Sequence, residues 1–229
     1  MRWILRWIGQ PLPWIIAGLV FAVVVRLARD DPGSPLWFAE YLLHGLMLHH
    51  LWRGGPRLRV SRAQAGLAYV ALVLLFGAIY EASLTVDGTG IGGMHAQTGL
   101  SYLLAFGDYL LLALASLWVI RRFGLGFPGA FFLAAGFSLS EGLIFTGVLA
   151  QLIASPLWVM APLMLAYYTL AYSGFIALPL LLLPVGSLIQ GPTRLRLPWV
   201  WALGFGISCV TRLVWGLIYI PAVEWLVGL

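Results

Sequence analysis

Long apolar runs alternate with short polar breaks along this chain. The runs between charge and turn signals predict seven helical spans, at roughly 13–28, 36–52, 64–85, 100–120, 127–150, 156–189 and 198–220. A bilayer core takes about 20 residues of helix, and most of the runs are close to that length. The sixth exceeds one untilted span, and Pro162, Pro179 and Pro184 predict a kink or a short re-entrant piece within it. The longest polar interruption, residues 80–108, is glycine-rich and forms a hairpin between the third and fourth spans.

Composition turns this pattern into a fold class. Hydrophobic residues make up 62% of the 229 residues and charged residues only 9%. A soluble domain carries about 25% charged residues, so this chain lacks the polar surface that water would require. Residues 1–229 therefore read as one all-α polytopic transmembrane bundle in the cell membrane. Its length leaves no room for a separate soluble catalytic domain, and any chemistry must come from the helices and their short loops.

Charge placement predicts the orientation. Arg2 and Arg6 precede the first span, and Arg53, Arg57, Arg59 and Arg62 separate the second from the third. Arg121 and Arg122 follow the fourth, and Arg194 and Arg196 follow the sixth. The breaks at 87–99 and 151–155 contain no arginine. Arg26 and Arg29 after the first span are offset by Asp30 and Asp31, although acidic residues count for little in this rule. Every second loop is then positive, which predicts a cytoplasmic N-terminus and an outer C-terminus. Trp14, Trp37, Trp52, Trp118, Trp158, Trp199 and Trp201 fall near predicted span ends, where indole rings favour the interface. No cleavage site follows the first apolar run, so that run reads as an uncleaved span. The net charge of +5 reflects this rim of arginines rather than nucleic-acid binding.

All thirteen basic residues are arginine. Without lysine the chain cannot form a Schiff base with retinal or pyridoxal phosphate. Cys209 is the single cysteine, which excludes an intrachain disulfide and a cysteine metal cluster. GTGIGG at 88–93 lacks the lysine of a Walker loop, and a tight hairpin explains its glycines as well as a ligand cradle does.

Candidate chemistry gathers in the predicted outer half. At 1.5 Å rise per residue, His44, Asp108, Glu141 and Arg212 lie roughly 12 Å below the outer surface, with Glu40 and Glu81 about one turn higher. A charge in hydrocarbon costs about 2.5–3.5 kcal/mol on insertion scales and seldom persists without a partner. Arg212 can neutralise one carboxylate, Glu141 or Asp108. The remaining acids must be protonated, solvated by a vestibule, or bound to a cation. Ser138 and Ser208, one turn before Glu141 and Arg212, are expected to help satisfy those charges, and Trp215 to stack on the guanidinium. Small-residue stripes at 130–134–138–142 and 204–208–212–216 predict close helix packing.

Three function classes follow. In the first, a membrane enzyme acts on a lipid or isoprenoid-type substrate. Glu81, Asp108, Glu141 and Arg212 form its catalytic set, and Arg212, Glu40 and His95 are substrate contacts. A divalent metal is a candidate cofactor there, with His44, His95 and Asp87 as candidate ligands, although the sequence has no HExxH or HxxxH spacing. In the second, the acids relay a proton, cation or small solute. In the third, the chain is a non-catalytic subunit or assembly factor bound to another membrane protein. Membrane lipid is a partner in all three. The gathering of acids on one side, rather than along a path across the bilayer, favours the enzyme.

Overall fold

The computed structural model describes residues 10–29, 35–86, 98–184, 188–189 and 195–227, and these contain helices and turns without strands. The helices are α1 (Pro11–Arg29), α2 (Pro35–Arg53), α3 (Ala65–Val86), α4 (Thr98–Phe123), α5 (Phe127–Ser140), α6 (Val148–Ile153), α7 (Ala161–Ile176), α8 (Leu178–Leu182), α9 (Leu197–Val214) and α10 (Ile220–Val227). Among the described residues, five helical stretches are long and apolar enough to cross a membrane: Ala65–Ser83, Tyr102–Phe123, Phe127–Phe145, Trp158–Ile176 and Leu197–Leu226. An apolar-rich helical chain of this kind is consistent with a multi-pass integral membrane protein.

Local chemistry sets the helix ends. Gly54 and Gly124 adopt positive φ angles of 62° and 66° just past α2 and α4. Beyond α4, the Leu125 N–H returns to the Ile120 carbonyl, which closes the last turn. Ser61 and Gln64 cap α3 reciprocally: the Gln64 N–H reaches Ser61 Oγ, and the Ser61 N–H reaches Gln64 Oε1.

Three runs differ from the sequence expectation. The run 127–150 does not continue as one helix. After α5 it widens into a π turn, Glu141–Phe145, and stops at Thr146 and Gly147 before the short α6. The run 156–189 breaks at Ala177. Pro162 lies in the first turn of α7 and starts that helix instead of kinking it. Pro179, which has no N–H to continue the ladder, follows the break into α8. Leu183, the residue before Pro184, is extended with ψ 154° and ends α8. The last run is longer than expected. α9 passes through a second π turn, Trp215–Tyr219, into α10 and ends at Val227.

α5 is the central helix. Every side chain from Ala130 to Ser138 is buried, as an apolar helix surrounded by others requires. It packs against α7 and α9, α1 packs on α7, and α3 packs on α2 and α4. The α5–α9 contact is backbone on backbone. A Cβ on Gly136 would meet the Trp201 carbonyl and the Phe205 amide nitrogen, and one on Gly204 would meet the Leu133 carbonyl. The face of α5 turned to α9 is therefore Leu133, Gly136 and Ser140, not the predicted 130–134–138–142 stripe. Gly142 turns toward Leu149 instead, and Gly216 faces open space. Trp52, Trp118, Trp158 and Trp199 are exposed near helix ends. Trp14 and Trp201 instead pack with Phe132, in ring pairs 5.5–6.4 Å apart.

Candidate functional site

Three helices bring their charges together at one end of the bundle. Arg212, near the end of α9, is the common partner. Its Nη2 lies 2.9 Å from Glu141 Oε2, and its Nε lies 3.1 Å from Asp108 Oδ1. Arg212 Nη2 also donates to the Tyr172 hydroxyl at 2.8 Å, and that hydroxyl donates to Glu141 Oε2 at 3.0 Å. The Phe145 ring lies 5.2 Å from the guanidinium carbon. Asp108 is almost fully buried, with 3% of its side chain exposed, while Arg212 and Glu141 each keep 14%. The Glu141–Arg212 edge is thus the more accessible side of the cluster.

The two contacts of Arg212 differ in kind. Its contact with Glu141 is reinforced through the Tyr172 hydroxyl. The Nε–Oδ1 contact with Asp108 is an ion pair by distance only, because both atoms are buried and neither has a hydrogen-bond partner among the described residues. Two carboxyls and one guanidinium are electrically neutral only when one proton is shared with the carboxyls. A buried group of this kind is held together by charge and destabilised by its own desolvation.

A phenol extends the cluster on the other side of α4. Adjacent helix residues point about 100° apart, so Asp108 faces α9 while Tyr109 faces α3 and α7. The Tyr109 hydroxyl lies 3.4 Å from Glu81 Oε2, a long hydrogen bond to a buried carboxyl. Its ring stands edge-on to Phe175 at 5.4 Å. Gly77 on α3 leaves room for it, since a Cβ there would lie 2.6 Å from the Tyr109 ring. Beside this pair, Leu74, Ala78, Tyr102, Ala105, Phe106, Tyr109 and Glu81 line a cavity of about 140 Å³ between α3 and α4. Its walls are apolar apart from Glu81 and the two tyrosines, and Phe106 is about half exposed at its margin.

Both π turns adjoin the charges. One starts at Glu141, where the Thr146 N–H reaches back five residues to the Glu141 carbonyl. The other starts three residues after Arg212 and is pinned to α4. Trp215 Nε1 donates to the Leu104 carbonyl and the Tyr219 hydroxyl to the Leu103 carbonyl, each at 2.8 Å. π turns inside α-helices recur at functional sites, and here two of them set the register of the residues around one guanidinium.

The structure thus gathers Asp108, Glu141 and Arg212 directly and brings Glu81 alongside through Tyr109. It does not bring in His44. That ring is buried between α2 and α7, and its Nε2 donates to the Leu170 carbonyl at 2.9 Å. Among the described residues no three His, Cys, Asp or Glu side chains group as metal ligands. Asp87, His95 and the Glu40 side chain lie outside the described residues.

The expected supporting residues are replaced by others. Ser138 returns to the Ala134 carbonyl and Ser208 accepts from Ser140 Oγ, so the contacts of both serines are to groups other than the charges. Phe145 takes the place expected for Trp215. Tyr109 and Tyr172 do not stand out in the sequence, because a tyrosine in an apolar run reads as an interfacial anchor or a core residue. A partial signal was present. Tyr109 directly follows Asp108, and Tyr172 lies in the middle of a span where its hydroxyl must find a partner. No protein family matches the chain, and neither a curated protein nor a solved structure does.

Proposed function

We propose that the chain is a seven-span plasma-membrane protein, N-terminus inside and C-terminus outside, whose buried acid–base network acts on a lipid or isoprenoid-type molecule. The observation that carries this reading is the apolar cavity between α3 and α4, which ends on Glu81 and Tyr109 next to Asp108. A cavity of this size fits one segment of an alkyl or isoprenoid chain and presents a carboxyl and a phenol to its polar end. Glu81 and Tyr109 serve there as proton donor and acceptor. Arg212 holds Asp108 and Glu141 and sets the local field, and the more accessible Glu141–Arg212 edge is where an anionic group would bind.

The test is photolabelling with an alkyl-diazirine lipid in reconstituted membranes, followed by peptide mapping. Labelling should fall on the Leu74–Glu81 and Tyr102–Tyr109 segments and be lost in Ala105→Trp, which fills the cavity. Labelling spread evenly over all exposed helix faces, and unchanged by Ala105→Trp, would remove the basis for the reading.

The excess of carboxyl over guanidinium favours a second reading, a proton or cation carrier. Proton flux in vesicles that is abolished by Asp108→Asn would establish it over the first. Against it, the one buried histidine among the described residues, His44, has its Nε2 held by the Leu170 backbone carbonyl.

A further inference from the structure

At the opposite end of the bundle, guanidinium groups collect without carboxylates. The ion pairs among the described residues all involve Arg212, so Arg121 and Arg122 in the last turn of α4 have no acidic partner there. These two arginines close a groove of about 400 Å³ along α4, whose remaining walls are Leu114, Leu117 and Trp118. The five residues recur at helical spacing and form one face about 12 Å long. Leu114 and Trp118 are half exposed or more, on a helix long and apolar enough to cross a membrane. Arg121 is also seated against α3, because a Cβ on Gly66 would clash with its Nη2. Gly66 leaves the space in which this guanidinium lies.

An aliphatic wall leading to two guanidinium groups that have no acidic partner among the described residues has the chemistry of one molecule that a bilayer supplies. We propose that this groove binds an anionic phospholipid, with an acyl chain along Leu114, Leu117 and Trp118 and the phosphodiester at Arg121 and Arg122. A zwitterionic lipid offers the same chain, but its ammonium group opposes the two arginines. A basic residue near a membrane surface favours an anionic lipid by roughly fivefold. The pair therefore implies a preference of roughly thirtyfold over phosphatidylcholine. This site is independent of the acid–base network, so failure of either proposal leaves the other standing.

Native mass spectrometry of the detergent-solubilised full chain, titrated with phosphatidylglycerol or phosphatidylcholine, tests the assignment. The wild type should retain phosphatidylglycerol preferentially, and Arg121→Gln/Arg122→Gln should lose about thirtyfold in affinity. Arg57→Gln/Arg59→Gln removes the same charge from the α2–α3 loop and should change retention less than about threefold. Gly66→Ala keeps every charge, displaces only the flexible end of Arg121, and should weaken retention about threefold. Equal retention of the two lipids, or equal losses in the two double variants, would overturn the site. The equal losses would mean that the rim attracts anionic lipid as a diffuse charge.

Discussion

The two ends of this bundle use arginine in opposite ways. At one end Arg53, Arg57, Arg59, Arg62, Arg121, Arg122 and Arg196 are exposed and pair with no carboxylate among the described residues. At the other end a single arginine, Arg212, is mostly buried and shared by Asp108, Glu141 and Tyr172. An exposed guanidinium keeps its hydration or meets lipid phosphate, and its energy depends little on any one neighbour. A guanidinium inside the bundle has lost its water and depends on its partners for nearly all its stabilisation. The same residue type is therefore replaceable at one end and indispensable at the other.

The largest expected effect comes from breaking the buried end. Arg212→Leu removes the cation and leaves Asp108 and Glu141 facing each other. It should destabilise the protein by about 3–5 kcal/mol, the usual penalty for orphaning a buried charge. Adding Asp108→Asn and Glu141→Gln should restore much of that loss, because the neutral set has no uncompensated charge. Unfolding followed by circular dichroism in mixed micelles measures both. If Arg212→Leu alone unfolds like the wild type, the ion pairs do not hold the helices. If the neutral triple variant is no better than the single one, shape rather than charge is what Arg212 supplies.

A smaller effect separates the phenol from the π turn as supports of Arg212. Tyr172→Phe removes the hydroxyl that accepts from Arg212 and donates to Glu141, so it should cost about 1–2 kcal/mol in the same assay. Trp215→Phe removes one hydrogen bond from the indole to the Leu104 carbonyl and should cost about 0.6 kcal/mol. The reverse ranking would mean that the π turn, not the phenol, fixes the position of the guanidinium.

How much of this was legible in the sequence follows the same division. The arginine rim and most helix bounds could be read directly, because insertion physics acts on runs of residues and leaves a one-dimensional record. α3 starts within one residue of the expected 64 and α4 runs 98–123 against 100–120. That Asp108, Glu141 and Arg212 needed partners was also readable, since each is a charge in an apolar run. Which atoms they would meet was not. The π turn at Glu141 rotates the residues after it relative to a regular helix, which brings Phe145 rather than Trp215 to the guanidinium. The packing face of α5 is hidden from the sequence for a related reason. α5 is small or apolar on every side, so its composition could not say which face meets α9, and the contact between Gly136 and Gly204 decided it.

The smallest effect tests the other side of the contrast. Arg57→Gln and Arg59→Gln lie in the exposed stretch between α2 and α3, where the backbone is held by the Leu58 N–H bonded to the Leu182 carbonyl at 2.7 Å. Neither guanidinium has a carboxylate partner among the described residues, so neither substitution orphans a charge. Each should change stability by less than about 0.5 kcal/mol, in contrast to Arg212. The pair should act on topology instead. Under the proposed topology, a loop that loses two of its arginines gives a weaker positive-inside signal, and a larger fraction of chains should insert with that loop outside. Accessibility of a cysteine placed at Ser61, measured with an impermeant maleimide in intact cells, reads that fraction. A loss of stability comparable to that of Arg212→Leu would mean that these arginines are buried partners after all, and the two ends would no longer differ in kind.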